Sequence, residues 1–226
     1  SITDVGGGVY RVSMTTTTTS TNPAQAILAT PNAATGRAPS FAGNTANGFY
    51  VYGVQVEQAS TPSSYIPTNA GATVTRAAET LTVPAANLPY DSTNMSIQMD
   101  GKMTYADNSL SLEVLQYRWQ ANGTNYISSS LQTSGSRSGQ PHFTQRESTS
   151  GLASASGGNN VYSAGTNVPF NIAARHGSTF INGAHEGTLL TASTTPTSLP
   201  ALSSTDLNLG FDFMGTLGQF RMWDED

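Results

Sequence analysis

The segment DLNLGFDF, residues 206–213, alternates polar and apolar side chains without a break. Successive side chains of a β-strand point to opposite faces of the sheet, so this pattern predicts a strand with one buried and one solvated face. The segment MSIQM, residues 95–99, repeats the pattern, with methionine and isoleucine alternating with serine and glutamine. Such strands are typical of antiparallel β-sandwiches, and helical periodicity is almost absent elsewhere. The sequence therefore predicts an all-β protein.

Local signals predict several further elements. The segment LSLEVLQYRW, residues 110–119, is apolar on both faces, which predicts a central strand or a strand whose outer face meets a partner. The dipeptide Asn182-Gly183 predicts a two-residue hairpin, because both central residues of a type I′ turn need positive φ. The segments 132–140 and 148–160 are rich in glycine and serine, and we expect loops there.

Composition argues against several classes of function. Charged residues make up only 10% of the 226 residues, and the net charge is −5 at pH 7. The nine lysine and arginine residues are scattered, so no basic patch for nucleic acid is expected. The lack of cysteine excludes disulfides and cysteine-based zinc sites. No apolar run is long enough for a membrane span, and SITDVGGG at the start lacks the features of a signal peptide. We expect the chain to be part of a longer protein.

A domain boundary is predicted in the first third of the chain. Aromatic and valine side chains alternate in residues 50–56, which we interpret as the last strand of a first domain. We expect the core of that domain to be faced by Tyr50, Tyr52, Val54 and Val56. Pro62 and Pro67 then stop the strand, because proline fixes φ and cannot donate to a ladder. The prediction is a sandwich domain at 1–60, an extended Ser/Thr/Pro linker at 61–80 and a second sandwich at 81–226.

This boundary region resembles a segment of bacteriophage virion proteins, especially tail and head-fibre proteins. In that family a lectin-like sandwich ends in a pattern close to GxQxExGxxxSSYIPT, which is followed by TRAAD and a second sandwich. Glu79 stands where the family has aspartate. The residues that match the pattern are Gly53, Gln55, Glu57, Ser63, Ser64, Tyr65, Ile66, Pro67, Thr68, Thr75, Arg76, Ala77 and Ala78.

The second part of the chain resembles a concanavalin A-like or laminin-G-like jelly roll. Its resemblance lies in FNIAARHGSTFINGAHEGT, residues 170–188, and in MGTLGQFRMWDED, residues 214–226. Sheets of this type use about seven or eight strands, more than residues 1–60 supply. The first sandwich is therefore expected to be incomplete, either because the sequence begins within a domain or because other chains complete it.

These resemblances imply a structural or adhesion protein on the exterior of a phage particle, such as a fibre, spike or decoration. They imply other virion proteins as partners, a homo-oligomer with a trimer favoured, and host-surface polysaccharide as a candidate ligand. Two alternatives stay open. One is a purely structural capsid or tail component without a ligand, and the other is a polysaccharide depolymerase.

The candidate carbohydrate-binding residues are Tyr117, Trp119 and Tyr126, with Arg118 and Asn122 near the following turn. Aromatic rings stack on sugar rings, and the polar side chains would bind hydroxyl groups. Residues 117 and 119 share a face, on which Leu115 is also expected. The alternative is that the two aromatic residues fill the core or a subunit interface.

Catalytic residues are not predicted. Retaining glycosidases need two carboxylates about 5 Å apart, which jelly-roll glucanases supply from one strand. Glu113, Glu147 and Glu186 each lack such a partner in the sequence, and no G-x-S-x-G elbow of a serine hydrolase is present. We therefore expect no enzyme activity.

Metal ligands are sparse. His176 and His185 should lie near opposite ends of a strand, too far apart to share one ion. Lectin-like sandwiches often bind calcium through carboxylates and backbone carbonyls, and the candidate ligands are Asp100, Asp206 and Asp212. No dense acidic loop accompanies them, so no cofactor is expected and calcium stays an alternative.

The linker supplies two further candidates. Arg76 stands among small residues, and it could pair with a carboxylate of the following domain and fix its orientation. A solvated linker charge is the alternative. Tyr65 belongs to the same segment, and we expect a contact with the linker or the next domain.

Overall fold

The computed structural model describes residues 1–16, 45–46, 48, 50–56, 62, 65–68, 74, 81–105, 113–196, 198–211 and 213–225. The chain divides into two compact units. The first consists of Ser1–Gln58 with Ser64–Val74, and the second of Ala59–Ser63 with Thr75–Asp226. The predicted linker at 61–80 lies mostly outside the described residues, so the predicted domain limits stay a prediction.

The first unit contains a β-hairpin made of β1 (Ile2–Gly6) and β2 (Val9–Val12), which pair antiparallel. The turn consists of Gly7 and Gly8, whose φ angles are 63° and 78°. Two successive residues with positive φ are the requirement of a type I′ turn, which matches the twist of the flanking strands. Glycine meets this requirement without steric cost, so GGG explains where the chain reverses.

The predicted strand at the end of the first unit is not formed. Residues 50–56 pair with no strand, and the side chains expected to face a core are all exposed. Tyr50 is fully exposed, and Tyr52, Val54 and Val56 are each at least 75% exposed. Apolar side chains of a strand are buried only where the sheet packs on a second layer, and residues 50–56 belong to no sheet. The prediction of a buried alternating strand here was wrong.

Residues of the motif that begins at Gly53 instead contact one another. The backbone N–H of Ile66 donates to Oε1 of Gln55 over 2.9 Å. Gly53 has φ of 67°, and a Cβ at this position would lie 3.1 Å from Cε2 of Tyr65. A glycine at position 53 therefore allows both the backbone turn and the close approach of the ring, and the glutamine binds the strand-like segment to the segment that follows it.

The second unit is an all-β structure with two antiparallel sheets. The six-stranded sheet has the order β3-β12-β5-β6-β7-β8, and the five-stranded sheet has the order β11-β10-β9-β4-β13. Its strands are β3 (Leu81–Val83), β4 (Asn94–Tyr105), β5 (Glu113–Asn122), β6 (Asn125–Gln132), β7 (Gln140–Glu147), β8 (Gly151–Ser156), β9 (Gly165–Gly177), β10 (Ile181–His185), β11 (Thr188–Leu189), β12 (Leu207–Leu209) and β13 (Gly215–Trp223).

Two short 3₁₀ helices, Ala85–Asn87 and Gly135–Arg137, complete this unit. No helix within the described ranges is long and apolar enough to cross a membrane.

The core lies between the two sheets and contains the side chains that alternation assigned to it in β4. The strand predicted at 206–213 is formed only at Leu207–Leu209, and Phe211 is exposed, so that prediction was wrong beyond Leu209. Met95, Ile97 and Met99 of β4 are completely or almost completely buried. They belong to one hydrophobic cluster together with Phe143 of β7 and Ile172 of β9. The antiparallel β-sandwich predicted from the sequence is confirmed. The central position predicted for residues 110–119 is also confirmed for its described part, since β5 lies between β12 and β6.

The predicted hairpin at Asn182-Gly183 is wrong, because both residues lie inside β10. The positive-φ turn occurs four residues later, at Glu186 and Gly187, with φ angles of 46° and 76°. Gly183 is required for packing, since a Cβ there would lie 2.3 Å from Cδ2 of Phe143. A glycine is needed here because the buried ring of Phe143 in the other sheet leaves no space for a side chain. The local sequence does not reveal this contact.

The segment 148–160 was predicted to be a loop, but it contains the edge strand β8. Ala153 and Ala155 are buried, and they pair in register with Gln145 and Phe143 of β7. The alternation of β8 uses small side chains, which have weak strand preference by themselves. Pairing with β7 determines the conformation of this segment.

Candidate functional site

The predicted carbohydrate patch is divided between two faces of β5. Tyr117 and Trp119 are completely buried and point into the core. Nε1 of Trp119 donates to the carbonyl oxygen of Thr205 over 2.7 Å, and the ring meets that of Tyr90 edge to face. A ring enclosed in the core cannot stack on a sugar, so these two residues are core residues, which was the alternative interpretation.

A β-bulge changes the faces of β5. The register with β6 shifts between Leu115 and Tyr117, so Gln116 is an extra residue. The bulge leaves Leu115 outside the core cluster that contains Val114 and Tyr117. The expected shared face of Leu115 and Tyr117 was therefore wrong, because one inserted residue reverses the alternation.

Asn122 is the last residue of β5, and its side chain forms hydrogen bonds within the turn that follows. Its Oδ1 accepts hydrogen bonds from the backbone N–H and the hydroxyl of Thr124, each over 2.9 Å. It also accepts from Nδ2 of Asn125 over 3.2 Å. An asparagine that bonds the backbone two residues ahead forms an Asx turn, so this side chain shapes the β5–β6 hairpin.

Arg118 and Tyr126 remain together on the outer face of the six-stranded sheet. Cζ of Arg118 lies over the ring of Tyr126, 4.6 Å from its centroid. Both residues are partly exposed, and each alternates with a buried core residue of its strand. Nε of Arg118 is buried and has no hydrogen-bond partner within the described part of the chain. This pair is the part of the predicted patch that faces outward.

A continuous row of polar side chains crosses all six strands of this sheet. Each member is the register partner of the next, and every one carries a hydrogen-bonding group. Five strand spacings of about 4.8 Å give the row a length of about 24 Å. The row, which we name the polar row, consists of Thr82, Asn208, Arg118, Ser128, Thr144 and Ser154.

Longer side chains flank the polar row on both sides. On one side the register places Gln120, Tyr126, Arg146 and Leu152 side by side. On the other side, His142 of β7 lies between its register partners Ser130 of β6 and Ser156 of β8. The central members Ser128 and Thr144 are buried, Asn208 and Arg118 are partly exposed, and Thr82 and Ser154 at the two ends are exposed. We name this outer surface, with the polar row and its flanking side chains, the polar face.

Side chains at the middle of the polar face are partly preorganised. Nδ1 of His142 lies 3.3 Å from the hydroxyl of Thr144. Nε of Arg146 donates to the carbonyl oxygen of Ser148, and its Nη2 donates to that of Thr149, each over 3.3 Å. These contacts hold the imidazole beside Thr144 and the guanidinium towards the β7–β8 turn.

The protonation of His142 suits a neutral polar ligand. Burial is the main cause that lowers its pKa, the charge of Arg137 lowers it further, and that of Glu113 acts in the opposite direction. The imidazole is therefore neutral at neutral pH, and it offers one donor and one acceptor nitrogen. A hydroxyl group has the same double capacity.

The predicted metal ligands are not brought together. Asp100 lies on β4 of the five-stranded sheet, and its Oδ2 accepts from the backbone N–H of Gln219 over 3.3 Å. Asp206 precedes β12 of the other sheet, and its Oδ1 accepts from the N–H of Ala85 over 2.8 Å. Asp212 lies outside the described residues. Among the residues that are described, no group of three or more histidine, aspartate or glutamate side chains could hold a metal ion.

The two histidines considered as a metal pair have separate environments. His176 lies on β9 and is the register partner of Ile181, whereas His185 lies at the other end of β10. Four residues of strand separate these positions, or about 13 Å. The expected separation is confirmed, and His176 bonds Tyr117 instead.

The linker candidates receive little further information. Arg76 lies outside the described residues, so its expected ion pair stays a prediction. Tyr65 is about half exposed and lies against Gly53 within the first unit. Its expected interdomain contact also stays a prediction.

Sequence reasoning did not identify the contribution of β7 and β12 to the polar face. His142, Thr144 and Arg146 fall at alternate positions of QPHFTQRE, residues 140–147, around the buried Phe143. This alternation was available in the sequence. The partnership of Asn208 with Arg118 was not, because it joins residues far apart in the chain.

The structure is similar to several solved structures. The first is the binding domain of botulinum neurotoxin serotype D, at 10% sequence identity and a TM-score of 0.47, over 62% of this chain and 34% of that chain. A toad ovary galectin solved with thio-digalactose gives 9% identity and a TM-score of 0.43, over 65% of this chain and 100% of that chain. Xenopus laevis galectin-Ib gives 10% sequence identity and a TM-score of 0.42, over 64% of this chain and 100% of that chain.

The similarity spans about a third of the neurotoxin chains. No protein-family model matches the sequence, and no curated protein sequence matches it. The fold and the polar face described above rest on this chain's own strands and side chains.

Proposed function

We propose that the second unit is a carbohydrate-binding domain and that the polar face is its binding surface. The observation that supports this function is the polar row, in which hydroxyl, amide and guanidinium groups on six adjacent strands share one face. Saccharides present many hydroxyl groups, each of which donates and accepts hydrogen bonds. A polar surface that extends across a rigid sheet is complementary to an extended oligosaccharide.

The chemistry of the polar face favours a polar ligand over a protein partner. The cores of protein interfaces are enriched in aromatic and apolar side chains and depleted in serine. The accessible members of the polar row instead include Thr82, Asn208 and Ser154. Leu152 is its one strongly exposed large apolar side chain among the described residues. A purely structural role of this face is therefore the less favoured alternative.

We further propose that the chain belongs to a bacteriophage virion and acts at its exterior as a fibre, spike or decoration that binds host-surface polysaccharide. The virion-type segment at 50–79 supports this proposal, together with the contacts of Gly53 with Tyr65 and of Gln55 with Ile66. Other virion proteins would be its partners. Assembly as a homo-oligomer, with a trimer favoured, would convert weak individual contacts into useful avidity.

A depolymerase is the less supported alternative. Retaining glycosidases need two carboxylates about 5 Å apart. Glu113 shares its register row with Gln132 and Gln140, while Glu147 lies seven residues further along β7. Seven residues of strand span about 23 Å, so these two carboxylates do not form such a pair.

Binding is tested by applying the labelled chain to an array of bacterial surface polysaccharides. Thr82→Val removes an exposed hydroxyl of the polar row at nearly constant volume, and we expect affinity for the recognised glycan to fall about 2- to 10-fold. Thr216→Val is the matched control, because Thr216 is exposed on β13 of the other sheet. Equal affinities of both variants, or no binding by the native chain, would contradict the proposed surface.

The virion proposal needs a separate measurement. Antibodies against the second unit should label the exterior of an intact phage particle in electron microscopy. Labelling should persist in Thr82→Val, although this variant weakens glycan binding, because incorporation and binding are different properties. Absence of the chain from purified particles would contradict the virion assignment without affecting the binding assay.

A further inference from the structure

Arg118 is a cation for which no ion pair is found among the described residues. Its guanidinium lies over the ring of Tyr126, and its Nε is buried without a hydrogen-bond acceptor in the described part of the chain. The large majority of buried polar side-chain atoms in proteins have a partner, so an unpaired donor on a charged group requires an explanation. A cation–π contact orients the guanidinium but satisfies none of its N–H groups.

The acids nearest in register to Arg118 are engaged elsewhere. Asp206 is two residues from the register partner of Arg118, and its Oδ1 accepts from Ala85. Glu113, at the other end of β5, accepts a hydrogen bond from Nε2 of Gln132. The local sequence therefore supplies carboxylates near Arg118, but the structure gives them other donors.

A second arginine lies on the strand next to Tyr126. Arg146 of β7 is the register partner of Tyr126, and its guanidinium donates to backbone carbonyls of the β7–β8 turn. The outer face of the sheet therefore carries two arginines in a chain with a net charge of −5 and a charged fraction of only 10%. The polar face is thus locally basic within an acidic protein, and such a surface attracts anions.

We propose that the saccharide bound by the polar face carries a carboxylate, as a uronate or a sialate does, and that Arg118 binds this carboxylate. This inference rests on the proposed carbohydrate-binding function. A guanidinium presents its donors in a planar fork that matches the two oxygens of a carboxylate. Tyr126 holds this fork on the sheet, and the side chain of Arg118 is itself partly exposed, so a ligand can reach it.

The test compares acidic and neutral forms of the same saccharide. Oligogalacturonate is measured against its methyl ester, and 3′-sialyllactose against lactose, by calorimetry with the native chain. The ester keeps the sugar rings and removes only the charge, and lactose lacks the sialate. For at least one pair we expect affinity for the acid to exceed that for the neutral form by about 10- to 100-fold, and to fall with salt.

Two variants locate the carboxylate. Arg118→Gln should remove most of the preference for the acid while changing affinity for the neutral form little. Arg118→Lys, which keeps the charge without the fork, should retain part of it. Arg175→Gln is the matched control. Arg175 lies on β9 of the five-stranded sheet, and its Cζ lies over the ring of Phe180, 4.8 Å from the centroid. It should leave the preference unchanged.

The outcomes separate the two proposals. If the native chain binds the acid and the neutral form of each pair equally, the carboxylate inference is wrong and the carbohydrate-binding function stands. If the chain binds none of these saccharides or the array glycans, both proposals fail. A preference for the acid that persists in Arg118→Gln would assign the carboxylate to another residue and contradict the inference. Should Arg118→Gln fail to fold, the comparison of acid and neutral forms on the native chain still tests the carboxylate preference, and Arg118→Lys tests the role of Arg118.

Discussion

The phenolic hydroxyl of Tyr117 on β5 lies 2.9 Å from Nε2 of His176 on β9, and this contact joins the two sheets inside the core. Both side chains are completely buried, and their rings meet nearly at a right angle. Burial lowers the pKa of His176 to about 3 and raises the pKa of Tyr117 far above its ordinary value. The contact is therefore a hydrogen bond between two neutral groups over the whole physiological pH range.

Acid should destabilise the second unit through His176. The pKa of this residue is about 3 in the folded chain and 6.5 as the ordinary value, so the unfolded state binds the extra proton between these limits. The free energy of unfolding is thus highest above about pH 6.5 and falls as the pH decreases towards 3. Urea unfolding at pH 7, 5.5 and 4 measures the slope, and His176→Gln should flatten it.

His142→Gln is the comparison variant for this slope. Burial also lowers the pKa of His142, but this side chain is partly exposed, so we expect its removal to flatten the slope less than His176→Gln does. Carboxylates such as Asp91, whose pKa is lowered by bonds from Thr93, contribute equally in all three proteins. Identical slopes for native chain and His176→Gln would show that the buried imidazole is not the acid-sensitive group.

Removing the hydroxyl of Tyr117 should cost more than removing a similar hydroxyl at the periphery. Tyr117→Phe leaves His176 without its partner in a fully buried site, and we expect a loss of about 1–3 kcal/mol in the free energy of unfolding. Tyr90→Phe is the control, because Tyr90 donates to the carbonyl oxygen of Pro200 in a half-buried position. Its loss should stay near 1 kcal/mol. Equal losses in denaturant titrations would argue against an important core hydrogen bond.

The two tryptophans should report opposite environments. Trp119 is completely buried, whereas Trp223 is 39% exposed on the edge strand β13. In Trp223→Phe the remaining emission should be blue-shifted and resistant to iodide quenching. In Trp119→Phe it should be red-shifted and readily quenched, with reduced stability because a packed ring is replaced. Quenching of Trp119 in the folded chain would revive the interpretation that it is an exposed ligand platform.

The sequence predicted the elements whose signal is local. Alternation placed Met95, Ile97 and Met99 on one face because the two-residue period is a property of any strand. It also placed Tyr117 and Trp119 on a common face. Alternation alone does not state which face becomes the core, and here the buried face is the aromatic one because the other carries Arg118.

The features that the sequence failed to predict depend on contacts with other strands. The bulge at Gln116 reverses the face of Leu115, and the conformation of β8 depends on its pairing with β7. The polar row likewise exists only after Asn208 pairs with Arg118. A site made from one residue of each strand cannot be predicted until the strand order is known. Individual strands can be predicted from their local sequence.

Gly183 offers a direct test of such a non-local cause. A Cβ on Gly183 would lie 2.3 Å from Cδ2 of the buried Phe143, so Gly183→Ala should lower the free energy of unfolding by about 1–3 kcal/mol. Gly123→Ala is the neutral control, because nothing lies within 4 Å of a Cβ there. We expect that change to stay within about 0.5 kcal/mol.

Replacing Phe143 by the smaller leucine shows whether side-chain packing or backbone conformation requires the glycine at position 183. If Phe143 is the obstacle, Gly183→Ala with Phe143→Leu should be more stable than the sum of the two single changes predicts, because the two side chains are coupled. Gly187→Ala serves as the contrast, since Gly187 has φ of 76° and open space around it. Its cost comes from backbone strain alone, and Phe143→Leu should not relieve it. Additive effects at Gly183 would contradict the assignment of Phe143 as the obstacle.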